Sequence, residues 1–445
     1  MKGKKKGSIT ILLALSMFAL LTFCLVLIEG TRVYYIRTKS MQAMELAEFS
    51  VLSEYQKELF ENYGVFFLDL DYEQGEERET VLQQRALKYL HKNIGEVETV
   101  HLKTSDFRRP TDGNGSVFFS QAVELMKVQS GIKVLEELLG DVGNMTLDSV
   151  DLEDILHHSE AEASGILSGI KESLEDKLLS ISLPDVSFPS IESLRENVFG
   201  NSDNLSTKSI VLSERLEQRE LRQGVGEKQK IGIADMQLFH LYLFDNFTYY
   251  GAANSSASSE ALAYQLEYII SGKESDRENL ENIMWRIFLS RAGGDYLFYH
   301  QDAEQLAKAE ASAVAMVGFT GNLVLIKLVR ELYLIAQAIE DGIEETKTVF
   351  AGGEVPLYED GVFAGVSLGY KQYLYLFLNT VGKDCKIYRC MDVVELEVRK
   401  TSGYEKFCLD HCVDLFDLEW DYRFQSLFRT KDYENTIRRK INYEM

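Results

Sequence analysis

Along the first sixty residues the hydrophobic pattern changes character while nothing in it breaks a helix. From Gly7 to Ile28 no charged side chain occurs, and about 21 helical residues rise roughly 30 Å, the thickness of a hydrocarbon core. Farther on, Met44, Ala47, Val51, Tyr55 and Leu59 recur at spacings of three and four, with Glu45, Glu48, Glu54 and Glu58 between them. That spacing predicts an amphipathic continuation whose face, Met44, Val51, Tyr55 and Leu59, packs on the body. Gly64 stands where a glycine commonly ends a helix. The pattern therefore predicts one long helix over residues 8–63, apolar all round in its first half and one-faced in its second.

Beyond it the periods mix. Residues 65–72 and 96–104 alternate as strands, whereas 78–94 and 116–140 read as helices closed by Gly95 and Gly140. Residues 145–230 turn polar and Ser/Glu-rich, with Pro184 and Pro189, and predict a helical insertion and linker. Then come a helix at ADMQLFHLYLFDNF, a strand at LAYQLEYIIS, and a helix to about Ser290 opened by a Ser275/Glu278 capping box. Helices at 302–318, 322–347 and 369–380 and strands at Met391–Val398 and Val413–Phe428 complete the reading. The uncharged run 311–326 is too short to span a bilayer and is broken by Gly318, Gly321 and Asn322, which predicts a buried helix–turn–helix. Without a βαβ rhythm the fold class is α+β. The segments are 1–7, a basic terminus; 8–28, a transmembrane helix; 29–144, the long helix and a first α+β part; 145–230, the insertion; and 231–445, a second α+β part.

Charge fixes the expected topology. Of 47 basic and 70 acidic residues, the first forty positions hold seven and one, leaving 40 against 69 in the rest. So acidic a body repels phosphate backbones and excludes a nucleic-acid partner. Lys2, Lys4, Lys5 and Lys6 precede the apolar run, and no Ala-x-Ala cut site follows it. The positive-inside rule then predicts a single-pass cell-membrane protein, N-terminus cytoplasmic and body extracellular, whose residues 8–28 meet the lipid bilayer.

Candidate chemistry is sparse. Cys385, Cys390, Cys408 and Cys412 cluster late in the chain, and disulfides, buried thiols and a metal site all remain open for them. Gly365-Val366-Ser367-Leu368-Gly369 has the letters of a nucleophile elbow but no strand–helix alternation ahead of it, so Ser367 reads as a loop serine or a helix cap. Asp69-x-Asp71-x-Glu73 lacks the glycine and glutamate of a calcium loop and reads as acidic residues ending a strand. His157-His158 reads as solvated surface. The sequence thus predicts no catalytic residue, cofactor or metal, and no enzyme.

Several stretches, KGSITILLAL…LIEGTRV, LSEYQKELFENYGVFFLD, YQLEYIISGKESDRENLENIMWRIFLSR and VFAGGEVPLYED among them, resemble an uncharacterised family of exported single-span proteins of Gram-positive bacteria associated with tight-adherence (Tad) pilus systems. The N-terminus also resembles minor pilins of the Tad type, in which a peptidase cuts after a glycine. That resemblance implies processing between Gly7 and Ser8. Leu12 departs from the pattern, because polymerising pilins carry a glutamate five residues past the cut. The resemblance implies a membrane-anchored, non-catalytic accessory or pseudopilin-like component that contacts other membrane or pilus-assembly proteins. The alternative is an exported membrane-bound ligand sensor or enzyme with its pocket in residues 230–428.

Overall fold

In the computed structural model, residues 6–71, 79–129, 188–200, 205–252, 261–356, 367–428 and 430–443 are described. They form a mixed helix-and-strand fold with two compact units. One comprises residues 1–121, 221–229 and 402–445, the other 122–220 and 230–401.

The first unit contains α1 (Lys6–Leu52), α2 (Lys57–Tyr63), β1 (Leu68–Asp69), α3 (Glu79–Asn93), β2 (Glu98–Arg108) and the start of α4 (Asp112–Gln129). Its last segment supplies β3 (Cys412–Val413), β4 (Leu415–Phe424) and β5 (Tyr433–Asn442). β4 lies between β2 and β5 in an antiparallel sheet, with Leu102 opposite Trp420 and Trp420 opposite Ile437. Phe416, Leu418, Trp420, Tyr422 and Phe424 alternate onto one face and are buried. The second half of α1 (Ile36, Ala43, Met44, Ala47, Val51) and α3 (Leu82, Ala86, Leu90) share a core with that face. A two-residue ladder, β1 with β3, sets Asp69 opposite Cys412.

The expected single helix over 8–63 is two helices. α1 ends at Leu52 because Glu54 is drawn sideways, accepting from Arg85 Nη1 and the Tyr89 hydroxyl, each at 2.6 Å. Gln56 then starts α2, its side chain accepting from the Leu59 N–H at 2.8 Å, and Gly64 closes it in the left-handed region at φ 65°. The strand expected over 65–72 shrinks to β1, and β5 was not anticipated at all. Its Arg438, Arg439 and Lys440 hide a strand whose residues alternate between half-buried and exposed.

The second unit is helical: α5 (Ile191–Phe199), α6 (Ile233–Asn246), α7 (Gln265–Ser271), α8 (Asp276–Gln301), α9 (Ala303–Val317), α10 (Leu323–Phe350), α11 (Tyr370–Thr380) and α12 (Lys383–Lys400). α10 packs along α8 and α9, and a ladder of Val355–Pro356 with Ser367–Leu368 leads into α11. The Ser275/Glu278 capping box forms as expected. Two expected strands are helices. The stretch read as LAYQLEYIIS contains α7, whose residues Gln265–Ile270 are buried on every side and so carry neither period. Met391–Val398 belongs to α12, whose stripe of Ile387, Cys390, Met391, Val394 and Val398 begins upstream of the β-branched residues. The 311–326 run is a helix–turn–helix, but its turn is exposed at Phe319, Leu323 and Val324 rather than buried.

Candidate functional site

Helix α1 is the one helix among the described residues long and apolar enough to cross a membrane, over Ile9–Leu52. Between Ile9 and Ile28 fourteen large apolar side chains stand exposed. Gly7 and Ser8 lie at the start of the same helix. Of the expected packing face, Met44 and Val51 enter the core described above, and Leu59 on α2 is buried. Tyr55, in the connecting turn, is half-buried and packs edge-on against Phe60 and Phe66, both at 5.3 Å.

A collar closes around α1 where the uncharged run ends. Glu29 Oε1 accepts from the Ser426 hydroxyl at 2.7 Å and from the Leu427 N–H at 3.2 Å. Arg32 Nη1, three residues on, donates to the Gln425 carbonyl at 2.7 Å. These contacts hold the segment between β4 and β5 against the helix and leave Leu427 and Phe428 about half exposed, at 53% and 52%. The partners are almost 400 residues apart, so no local pattern in the sequence marks the contact.

The second unit carries a partly open polar cavity of about 350 Å³. α8 contributes Arg291, Asp295 and Tyr299 at successive four-residue steps, and α10 contributes Asp341 and Glu345, also four apart. Arg291 Nε donates to Glu345 Oε2 at 2.5 Å and Nη1 to the Pro356 carbonyl at 3.0 Å, while Asp295 Oδ1 lies 3.6 Å from Nη2. The Tyr299 hydroxyl donates to Asp341. Burial, helped by the neighbouring Glu345 and only partly opposed by Arg291, pushes Asp295 up to about 8. A neutral carboxylic acid beside an arginine–glutamate pair can donate to and accept from a small polar ligand. Among the described residues no thiol or serine lines the cavity. In sequence these residues look like the solvated faces of two helices, so periodicity alone could not find them.

The segment Tyr264–Lys273 proves to be a structural keystone. Gln265 Oε1 accepts from the Thr248 N–H at 3.0 Å, and Glu267 Oε1 from the Tyr250 N–H at 2.8 Å and the Tyr370 hydroxyl at 2.6 Å. The Tyr268 hydroxyl donates to Asp392 at 2.9 Å, and Arg389 donates to the carbonyls of Ile269 and Ile270. Burial raises Glu267 to about 7 against the pull of those hydrogen bonds.

The remaining candidates are dispersed. Cys385 and Cys390 sit on α12 in the second unit, whereas Cys408 and Cys412 flank a turn in the first, and all carry thiols. Ser367 is in the short ladder, and Gly369 rather than Ser367 precedes α11. His157 and His158, like Glu73, lie outside the described residues. Asp69 ends β1, whereas Asp71 lies two residues beyond it and meets His411.

An exposed apolar helix rooted in an α+β unit, and a helical unit with a polar cleft, define the class of architecture. Residues 157–363 and 359–424 match the model of a family of unknown function, DUF5702, and the chain belongs to that family. No curated protein and no solved structure matches the chain.

Proposed function

We propose that this is a membrane-anchored exported protein, non-catalytic, acting through protein contacts as an accessory or pseudopilin-like part of a Tad-type pilus or secretion assembly. The observation that carries the anchoring is the change of environment within α1. Its first part presents fourteen large apolar side chains outward, and its second part is locked into a protein core. Leaving that first part in water would cost on the order of tens of kcal/mol at the usual value per buried side chain. Lipid removes the cost, and the lysine cluster before it favours a cytoplasmic N-terminus and an extracellular body. The collar at Glu29 and Arg32 fits the water-side border of such a span.

The pilus association rests on the resemblance of the N-terminus and on Gly7-Ser8 as a processing point. Mass spectrometry of the mature N-terminus tests it. A chain starting at Ser8 supports the pilin-like role, and an intact lysine-rich start removes its main support. The cavity lined by Arg291, Asp295 and Glu345 favours a second reading, an exported membrane-bound ligand sensor or enzyme with its pocket within residues 230–428. Saturable binding of a small polar molecule, lost on Arg291→Met, would favour that reading.

A further inference from the structure

We propose that Cys408, Asp410 and His411 form a zinc site in the first unit. The turn Leu409–His411 folds back so that the His411 N–H reaches the Cys408 carbonyl at 3.0 Å. This brings one ligand atom from each of the three side chains within 4.8 Å of the others. The pairing of β1 with β3 then delivers Asp71 to the far side of the imidazole, where Asp71 Oδ2 lies 2.6 Å from His411 Nδ1.

That contact fixes the chemistry of the ring. A carboxylate only accepts, so Nδ1 is the donor here, and Nε2 is the nitrogen that the neutral ring offers to a metal. An outer carboxylate on the second nitrogen is the usual support of a metal-bound histidine. Nε2 lies 3.8 Å from Asp410 Oδ2. Tetrahedral zinc holds nitrogen and oxygen at about 2.0 Å and sulfur at about 2.3 Å, which places ligand atoms roughly 3.3–3.6 Å apart. The ligand atoms, 3.8 Å apart for Nε2 and Asp410 Oδ2 and within 4.8 Å throughout, need to draw together by about half an ångström to one and a half.

Charge agrees. Buried Arg109 donates to the Asp410 carbonyl at 2.7 Å and faces Asp71, Asp112 and Asp410, and Arg108 also faces Asp112. Among the described residues the other Asp71 oxygen, Oδ1, is buried and has no hydrogen-bond partner. Mixed sulfur, nitrogen and oxygen ligands select zinc over calcium or magnesium, and three protein ligands leave a fourth position for water beside half-buried Cys408. The thiol loses its proton to solvent as the metal binds.

The test uses the full-length protein in detergent, stripped with a chelator and titrated with zinc chloride against a chromophoric zinc chelator. We expect a single tight equivalent, weakened about tenfold or more by Cys408→Ser, His411→Asn and Asp71→Asn and unchanged by Cys385→Ser. Cobalt(II) in place of zinc should give tetrahedral ligand-field bands and a thiolate-to-cobalt charge-transfer band that Cys408→Ser abolishes. The Cys408→Ser protein should melt like the parent without metal, which keeps the test independent of any folding defect in His411→Asn. No zinc uptake, or uptake and a cobalt spectrum indifferent to Cys408→Ser, overturns the proposal.

Discussion

Glu29 accepts a hydrogen bond from the Ser426 hydroxyl at 2.7 Å, joining the first acidic residue after the apolar run to the connection between β4 and β5. The contact ties a membrane-sized helix to the sheet it feeds. It also leaves Leu427 and Phe428 outward beside the end of the uncharged segment. If residues 8–28 lie in lipid, these two side chains belong in the interfacial layer, where amphipathic and aromatic groups settle. Phe428→Trp in liposomes should therefore add tryptophan emission that brominated lipids quench. Emission from Phe428→Trp that stays unquenched would place the collar away from the bilayer.

Met41 and Met44 lie one turn apart on α1, yet the first is 59% exposed and the second fully buried. Met44→Ala should cost about 2–3 kcal/mol through lost burial and a residual cavity, while Met41→Ala should change stability by less than about 0.5 kcal/mol. Chemical denaturation in mild detergent measures both. Equal effects would mean that the second half of α1 is not seated on the sheet.

The second unit should lose stability as pH rises from about 6.5 to about 8.5. Burial raises Asp392 to about 6, Glu267 to about 7 and Asp295 to about 8. A carboxyl with a raised folded-state value gives its full advantage below its unfolded value near 4 and loses it as pH climbs through the folded one. His240 works in the opposite sense. Burial, and then Lys386 beside it, hold it well below the usual histidine range, so it costs stability only as pH falls below about 6.5. In the alkaline window the acids alone decide the sign. Melting temperature against pH should slope downward there, and Asp295→Asn or Glu267→Gln should flatten the slope. A rising curve would contradict these environments.

Gly272 ends α7 at φ 65°, and a Cβ built on it would lie 2.4 Å from Arg389 Cζ. Gly272→Ala thus meets both left-handed strain and the guanidinium that holds the carbonyls of Ile269 and Ile270. The expected loss is about 2 kcal/mol or more, read as a lower denaturation midpoint. A variant as stable as the parent would show that the Arg389 clamp contributes little.

How much of this could be read from sequence depended on whether the signal was local. The apolar run of α1, the Gly64 cap, the Ser275/Glu278 box and the helices on either side of Gly318–Asn322 are all local patterns, and each formed. α7 was misread because a segment buried all round shows no period, and β5 was missed because its basic residues mask its alternation. The sites were less accessible still. Asp71 and His411 are 340 residues apart, and Arg291 and Glu345 are 54 apart on separate helices. The polar groups of Tyr264–Lys273, part of a stretch that carries the family resemblance, bind backbone and neighbouring helices.

Alkaline carbonate extraction of membranes from cells expressing the intact chain tests the anchoring most directly. The full-length protein should stay with the sedimented bilayer, and removal of residues 1–28 should free it. Full-length protein released into the supernatant would contradict the anchoring.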